Sequence, residues 1–254
     1  AMEGDRKVFI VVAALALGGL GYFWLHRVAP SPDAPEPPPT AQAPAAPQTS
    51  APAVPRPLVP LPSLDQSDEF VRARLRALAA IPENWLSTED LARRLVAAAK
   101  IMGEGGSPQD SLSFLRPKKK FAVKRVKGRA YMDPAGYARY DALAGTFASL
   151  DAGRTAQFVE ELGPLFAAAC AELDDKRCDF KASLVRAARE LLAAPKLEGD
   201  IRLVEKGALA YAFHDPALES LSAPQKHLLR MGAVNAAKVQ EKLRAILAAL
   251  GVAP

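Results

Sequence analysis

The segment FVEELGPLFAAACAEL, residues 158–173, carries the clearest helical pattern in this chain. Its apolar side chains recur at steps of three and four and would line one face of a helix: Phe158, Leu162, Leu165, Phe166, Ala169, Cys170 and Leu173. Pro164 predicts a kink or a restart, because proline lacks the amide hydrogen that a helix interior needs. The segment therefore predicts core helix in a mostly helical domain.

Two further stretches repeat this pattern, at residues 184–192 and 239–250, and Gly251 follows the second as a helix-ending glycine. From about residue 63 onward the composition is that of a globular chain, long enough to bury roughly 70% of its unfolded surface in one core. Helix starts are predicted where side chains can cap a first turn. The pairs that carry this signal are Ser87 with Asp90, Ser222 with Gln225, Asp133 with Pro134 and Asp215 with Pro216.

Two segments with β character interrupt the helices: FAVKRVKGRAYMDPA at 121–135 and RLVEKGALAYAFHDPA at 202–217. Each contains a Lys-Gly turn, an Ala-Tyr pair and an Asp-Pro helix start, in the same order. We expect two short β-hairpins, each leading into a helix. The shared order indicates an internal duplication, and common turn chemistry is the alternative. The predicted fold class is mostly α with two short β-hairpins, in a single compact helical domain.

Near the N-terminus, residues 8–25 form an unbroken apolar run, VFIVVAALALGGLGYFWL. Its 18 residues suffice for a helix that crosses a hydrocarbon core of about 30 Å. A cleaved signal peptide is the competing interpretation, but its apolar core is usually shorter and precedes a small-residue cleavage site. Arg6 and Lys7 before the run, against Arg27 after it, favour a cytoplasmic N-terminus. We therefore predict a cytoplasmic segment at 1–7 and a transmembrane helix at 8–25.

The next segment, residues 26–62, is rich in proline and alanine and reads PSPDAPEPPPTAQAPAAPQTSAPAVPRPLVPLP from Pro30 onward. Prolines at this density remove amide donors and favour extended chain, which predicts a disordered linker with a reach on the order of 100 Å. A proline-rich ligand for a groove protein is the alternative. We expect the linker to display a soluble domain at 63–251 on the outer side of the membrane.

The densest charged feature is a basic stretch, in a chain whose formal net charge is +5. Its members are Arg116, Lys118, Lys119, Lys120, Lys124, Arg125, Lys127 and Arg129, with no acid among them. Phe121 and Val123 would share one strand face and Val126 the other, so the strand pattern changes phase and predicts a bulge or an early turn. The stretch is either a solvated face or a patch that attracts an anionic surface, polymer or partner.

Cys170 and Cys178 are the two cysteines of the chain. On a continuous helix they would lie about 12 Å apart, too far for a disulfide. Asp174 and Asp175 between them look like a helix end, however, so the chain can turn back. Outside the cytoplasm we expect the two to form a disulfide that stabilises the fold by roughly 2.5 kcal/mol, and two unlinked buried thiols are the alternative.

Enzyme motifs are missing from the sequence: it contains no G-x-S-x-G elbow, P-loop, Rossmann glycine set or H-E-x-x-H. We name no catalytic, cofactor-binding or metal-binding residues and expect no cofactor. The three histidines, His26, His214 and His227, are interpreted as capping or packing residues. The acid pairs Glu160-Glu161 and Asp174-Asp175 point apart on a helix, although distant carboxylates can converge in a fold.

Five motifs along the chain come in a recognisable order. They are PLPSLDQSDEFVRARL at 60–75, WLSTEDLARRLV at 85–96, YMDPAGYARYDAL at 131–143, GPLFAAACAEL at 163–173 and YAFHDPALESLSAPQKHLLRMGAVNAAKVQEKLR at 211–244. This order resembles the bacterial family called domain of unknown function 3014, over nearly all of 60–250. The resemblance implies an envelope protein with one N-terminal membrane helix, a Pro/Ala-rich spacer and a mostly helical soluble domain. It implies no activity and no functional residues, and the cysteine pair and lysine triplet are not part of that pattern.

Two functions are consistent with these observations. The favoured one is a single-pass envelope protein, more a binding or scaffold module than an enzyme, whose partners are the membrane and an envelope protein or anionic envelope polymer. We do not expect nucleic acid as a partner, because the domain is expected outside the cytoplasm. Phe121, Tyr131, Tyr137 and Tyr140 could stack on bases, but single-strand readers need an exposed platform of aromatic side chains, which the sequence does not show. The alternative is an envelope hydrolase that uses carboxylates converging from different helices.

Overall fold

The computed structural model describes residues 60–207 and 210–253. The predicted cytoplasmic segment at 1–7, the transmembrane helix at 8–25 and nearly all of the linker at 26–62 lie outside the described residues. None of the helices in the described ranges has the length and apolar character needed to span a bilayer.

Ten α-helices and one four-stranded sheet account for most of the described chain. The helices are α1 (Asp68–Arg76), α2 (Glu83–Leu86), α3 (Leu91–Gly103), α4 (Asp141–Ser149), α5 (Ala152–Glu161), α6 (Gly163–Ala171), α7 (Phe180–Leu192), α8 (Pro216–Glu219), α9 (Ala223–Leu229) and α10 (Ala233–Ala249). Short 3-10 turns occupy Leu64–Gln66, Ser113–Leu115 and Pro134–Tyr140. The strands are β1 (Val123–Val126), β2 (Arg129–Met132), β3 (Arg202–Glu205) and β4 (Tyr211–Phe213). The predicted mostly helical character is confirmed.

The apolar helical stripe at 158–173 divides into α5 and α6. The break falls at Leu162, which is fully buried, and Pro164 then occupies the first turn of α6. A first turn tolerates proline because its amides have no partner inside the helix. The predicted restart at Pro164 is confirmed.

Three of the four predicted helix starts are confirmed. The carboxylates of Asp133 and Asp215 accept hydrogen bonds from the amides two residues later, each beside a first-turn proline. Ser222 and Gln225 form a reciprocal capping box at the start of α9. These caps are local, so the sequence suffices to predict them.

The capping box predicted for Ser87 and Asp90 is wrong. Ser87 ends α2, and its hydroxyl donates to the carbonyl of Asn84. The amides of Asp90 and Leu91 instead donate to the carboxylate of Asp68, both at 2.8 Å. An acid on α1 therefore caps the N-terminus of α3, a tertiary contact that no local pattern reveals.

The two predicted β-hairpins exist, but they are not separate. The strand order is β1-β2-β3-β4, and β2 pairs antiparallel with β3 through Ala130 with Leu203 and Tyr131 with Arg202. The two hairpins together form one four-stranded antiparallel sheet, and their association is not part of the sequence prediction. A two-stranded hairpin is marginal in water, and joining the two gives each inner strand a second partner.

The phase change near Lys124 is an early turn and not a bulge. The β1–β2 register runs without a break from Val126 opposite Arg129 to Val123 opposite Met132. Lys127 and Gly128 form the connection, and both have positive φ, 48° and 73°. A two-residue connection of this kind matches the strand twist and calls for glycine or another residue tolerant of positive φ.

The internal duplication stays a prediction. The two segments share antiparallel pairing and an Asp-Pro cap, yet the elements that begin at the two caps differ. The first cap begins the 3-10 turn Pro134–Tyr140, whereas the second begins α8, a helix of four residues. The structural likeness that can be described is therefore common turn chemistry.

Buried side chains form two apolar clusters that share α10. The first cluster surrounds Phe166, whose ring lies 5.8 Å from that of Phe158 and 4.0 Å from that of Phe180. The second cluster lies on the inner face of the sheet, where Phe213 is buried. Helix α10 contributes to both, with Ile246 in the first and other side chains of its predicted stripe in the second.

Candidate binding surface

The predicted basic stretch lies along β1, which is an outer strand of the sheet. Arg116 and the lysine triplet 118–120 precede this strand, and two more basic residues lie within it. Lys127 occupies the hairpin turn, and Arg129 begins β2. All eight basic residues therefore lie on β1, on its hairpin turn, or on the chain just before and after them.

Two of the eight basic residues are neutralised by acids distant in sequence. The Nζ of Lys124 lies 2.7 Å from the carboxylate of Asp200, and Arg125 forms an ion pair with Glu205 on β3. These hydrogen bonds raise the pKa of both side chains, which stay charged at neutral pH. No acid lies among these residues in the sequence, but the fold brings two acids into contact with them.

The other six basic residues define what we call the basic surface: Arg116, Lys118, Lys119, Lys120, Lys127 and Arg129. All six are exposed, and none forms an ion pair with any residue in 60–207 or 210–253. Val126 lies among them with 47% of its surface exposed, which is unusual among the large apolar side chains of the described residues. The basic surface thus combines unpaired positive charge with an exposed apolar side chain.

Arg139 supports the chain just before β1, and sequence reasoning missed it. Its guanidinium lies 5.2 Å from the ring centre of Phe121 and 4.5 Å from that of Tyr140, within range of cation–π attraction. It also donates to the carbonyl of Lys119. Arg139 therefore fixes the path of the lysine triplet. Its position in a 3-10 turn beyond β2 gives no sequence signal for this role.

The aromatic residues considered for base stacking are engaged within the domain. Phe121 and Tyr140 hold the guanidinium of Arg139, and Phe121 also contacts Tyr211 with ring centres 6.3 Å apart. Tyr131 and Tyr137 are likewise partly buried. These side chains pack within the domain and do not form an open platform.

Cys170 and Cys178 are joined by a disulfide in the structure, with Cα atoms 5.4 Å apart. Helix α6 ends at Ala171, and the chain turns back through Asp175, whose carboxylate accepts from the amide of Arg177. The turn predicted from the adjacent acids Asp174 and Asp175 is therefore present. The bonded state in the native compartment stays a prediction.

The histidines do not assemble a catalytic group in the described chain. His214 is exposed. The Nε2 of His227 lies 3.3 Å from Ser107 Oγ and 3.1 Å from Gln109 Nε2, and no acid of the described residues bonds its other ring nitrogen. Burial, with the charges of Arg230 and Lys226, lowers the pKa of His227, which is neutral at pH 7. We interpret His227 as a packed histidine.

Three of the four acids considered in the sequence are paired with cations, and Asp174 is exposed. Glu160 lies 2.6 Å from Lys181, Glu161 lies 3.5 Å from Arg74, and Asp175 lies 3.1 Å from Lys100. The amide of Arg177 and the ammonium of Lys100 lower the pKa of Asp175, the opposite of what a general acid requires. No cluster of three or more metal-ligating side chains occurs in the described ranges. Nothing in these residues favours the hydrolase alternative.

A shallow cavity of about 210 Å³ lies beside the disulfide, between α5, α6 and the start of α7. Its polar side chains already have partners, because Asp179 caps α7 and Lys181 pairs with Glu160. Ligand pockets usually measure roughly 300 to 1,000 Å³. The cavity is therefore a packing defect at the surface and not a candidate site.

These observations define a mostly helical domain with a small antiparallel sheet and one basic sheet edge. The chain belongs to the family described as "Protein of unknown function (DUF3014)", whose pattern matches residues 91–247. The resemblance drawn from the sequence motifs is thereby confirmed. No curated protein and no solved structure matches the chain.

Proposed function

We propose that this chain is a binding module of the bacterial envelope. In this proposal residues 8–25 anchor it in the inner membrane, residues 26–62 serve as a tether, and the folded domain works in the periplasm. There the basic surface binds an anionic component of the envelope. In this proposal the affinity depends on electrostatic attraction.

One observation carries this proposal: six exposed cations without ion pairs in the described residues lie around a single strand. Elsewhere in the described domain, exposed lysines without an ion pair, such as Lys176, Lys196 and Lys238, are far apart along the chain, and several other basic side chains are matched by acids. Arg93 contacts three carboxylates, those of Asp65, Asp90 and Glu172, and Lys100 contacts two. Like charges held close together repel one another, and a bound anion relieves that repulsion. The basic surface is thus the place where the domain would gain most from an anionic partner.

The experiment compares the full chain with a triple charge reversal, Lys118→Glu, Lys119→Glu and Lys120→Glu. The matched control reverses Lys176, Lys196 and Lys238, three other exposed lysines without an ion pair in the described residues. Both variants change the net charge equally, so a non-specific charge effect would weaken both. The probes are poly-L-glutamate and vesicles that contain anionic lipid, with the protein in a neutral detergent or inserted in the vesicles.

We expect the triple variant to bind the anionic probe about tenfold more weakly than the parent, and the control to bind like the parent. Parent binding should also weaken steeply between about 50 and 300 mM salt, because salt screens exposed charges. An equal loss of affinity in both variants would assign binding to net charge. An affinity that changes neither with salt nor between the variants would contradict the proposal.

The membrane topology is tested separately. Alkaline phosphatase joined after residue 253 should be active, because that enzyme needs an oxidising compartment to fold. Green fluorescent protein exported by the general secretory route should stay dark at the same position. The reverse pattern would place the domain in the cytoplasm and contradict the proposed orientation. A mature protein that begins after residue 25 would contradict the anchor.

A further inference from the structure

We propose that the outer edge of β1 accepts an extended acidic segment of a partner protein, which adds to the sheet as a fifth strand. This inference rests on the proposed function, because it assigns a partner class and a binding mode to the same basic surface. It goes beyond charge attraction, since backbone hydrogen bonds would set the direction and register of the partner.

The register shows which backbone groups of β1 point outward. The amide of Asp133 donates to the carbonyl of Ala122, so Ala122 faces β2. Backbone groups alternate in direction along an antiparallel strand, so the N–H and C=O of Val123 and Arg125 face away from β2. Neither residue finds another backbone or side-chain partner for these groups in the described part of the chain.

The opposite edge of the sheet is partly covered by side chains, whereas the outward backbone groups of β1 have no partner in the described residues. On β4, the outward amide of Phe213 donates to Glu219 Oε2 at 2.8 Å. The outward carbonyl of Tyr211 accepts from Arg230 Nη2 at 3.1 Å. Two side chains thus satisfy two of the four outward backbone groups of Tyr211 and Phe213, and α8 contacts this edge. Within the described ranges β1 has no such cover.

The charges around β1 select an acidic occupant. Lysines 118–120 lie before the strand, and Lys127 and Arg129 lie after it, so a segment along β1 would have cations near both of its ends. A second copy of this chain is a poor occupant, because pairing β1 with β1 would bring these cations together. The exposed side chain of Val126 offers apolar contact to one residue of the added strand.

Charged side chains also protect edge strands from aggregation, and this is the competing explanation. Protection requires only that neutral and basic strands be rejected, and lysines beside the edge strand meet that requirement. It gives no reason for an acidic strand to bind in a defined register. The two explanations therefore differ in what they predict for an acidic peptide.

The test uses the full chain in a neutral detergent and an eight-residue peptide of alternating Glu and Val. The control peptide has the same composition with alternating D and L residues, which keeps the charge but cannot form a regular strand. On the protein, Arg125→Pro removes one outward amide, whereas Arg125→Ala removes the same side chain and keeps the amide. Edge strands tolerate proline where the amide faces solvent. Hydrogen exchange at single amides reports the binding mode.

We expect the L peptide to bind about tenfold more tightly than the D/L peptide and to slow exchange at the amides of Val123 and Arg125. The proline variant should lose this binding, and the alanine variant should keep it. Binding that is equal for both peptides, with unchanged exchange at these amides, would overturn strand addition and leave the proposed function standing. If neither peptide binds, strand addition is overturned as well. Because the peptide comparison uses the unaltered protein, a proline variant that fails to fold does not weaken the test.

Discussion

Arg125 on β1 forms an ion pair with Glu205 on β3, across the whole width of β2. Arg125 lies opposite Ala130, and Ala130 lies opposite Leu203 in the next strand. Together with the pair between Lys124 and Asp200, this ion pair leaves six basic residues of the stretch without an ion pair in the described residues.

Releasing the charge of Arg125 should strengthen anion binding. We expect Glu205→Gln to bind poly-L-glutamate about two- to fivefold more tightly at low salt, with the gain lost at high salt. Asp65→Asn is the matched control, since it removes an exposed acid that contacts Arg93 instead. A binding isotherm for each variant at two salt concentrations measures the effect. The prediction is contradicted when both substitutions change the affinity equally.

The disulfide should stabilise the domain when it forms. Closing a loop of this length stabilises by roughly 2.5 kcal/mol in the chain-entropy estimate. Adding a reductant should therefore lower the Tm of the parent, and Cys178→Ser should have the lower Tm with or without reductant. Alkylation and mass measurement of protein from its native compartment give the redox state directly. If adding reductant leaves the Tm of the parent unchanged, the disulfide does not stabilise the domain.

Glu219 should stabilise the β4 edge in a manner that depends on pH. Burial would raise the pKa of Glu219, but the amide of Phe213 and the ammonium of Lys226 outweigh it and lower the pKa. A lowered folded-state pKa means that the stabilisation is present above the unfolded value of about 4.3 and is lost as pH falls through the folded value. We expect Glu219→Ala to cost about 1 to 2 kcal/mol at pH 7, because it leaves the Phe213 amide without its acceptor.

Urea unfolding at neutral and acid pH measures this effect. Glu219→Gln keeps an acceptor oxygen, so it should cost less than Glu219→Ala and should flatten the loss of stability below about pH 4. The exposed Glu198, which has no ion pair in the described residues, supplies the control Glu198→Ala. Equal effects of the alanine substitutions at the two positions would refute the role of Glu219.

Two glycines should respond to alanine with opposite signs. Gly232 has φ of +83°, and an added Cβ would lie 2.4 Å from Cδ2 of Tyr137. Gly232→Ala should therefore destabilise by about 2 kcal/mol or more, because it adds both a clash and backbone strain. Gly145 lies inside α4 with no atom within 4 Å of an added Cβ, so Gly145→Ala should stabilise by about 0.5 to 1 kcal/mol. Thermal unfolding of both variants checks the pair, and a shift of the same sign in both would contradict it.

The sequence predicts those parts of the fold that depend on neighbours along the chain. The stripe that ends at Leu173 and the restart at Pro164 follow from helical periodicity and from the chemistry of proline. The caps at Asp133 and Asp215 are equally local. The pairing of β2 with β3 joins residues about 70 positions apart, and no local pattern specifies it.

The same distinction applies to the candidate site. Charge density in the basic stretch is a local property and is visible in the sequence. Its partial neutralisation by Asp200 and Glu205 is not, because both acids arrive through β2–β3 pairing. The support that Arg139 gives to the lysine triplet also depends on tertiary packing. Sequence therefore located the surface, and structure determined which of its charges pair with acids of the described chain.

A photocrosslinking side chain at Val126 tests the central claim most directly. Val126 lies among the residues of the basic surface, and Val234, which is 70% exposed at the start of α10, provides an exposed apolar position that is not one of its residues. In cells that make the full chain, we expect an adduct from position 126 but not from position 234. The captured peptide, identified by mass spectrometry, should be rich in Asp and Glu, and the adduct should vanish in the Lys118, Lys119 and Lys120 charge reversal. Equal adducts at both positions, or an adduct that persists in the charge reversal, would contradict the account.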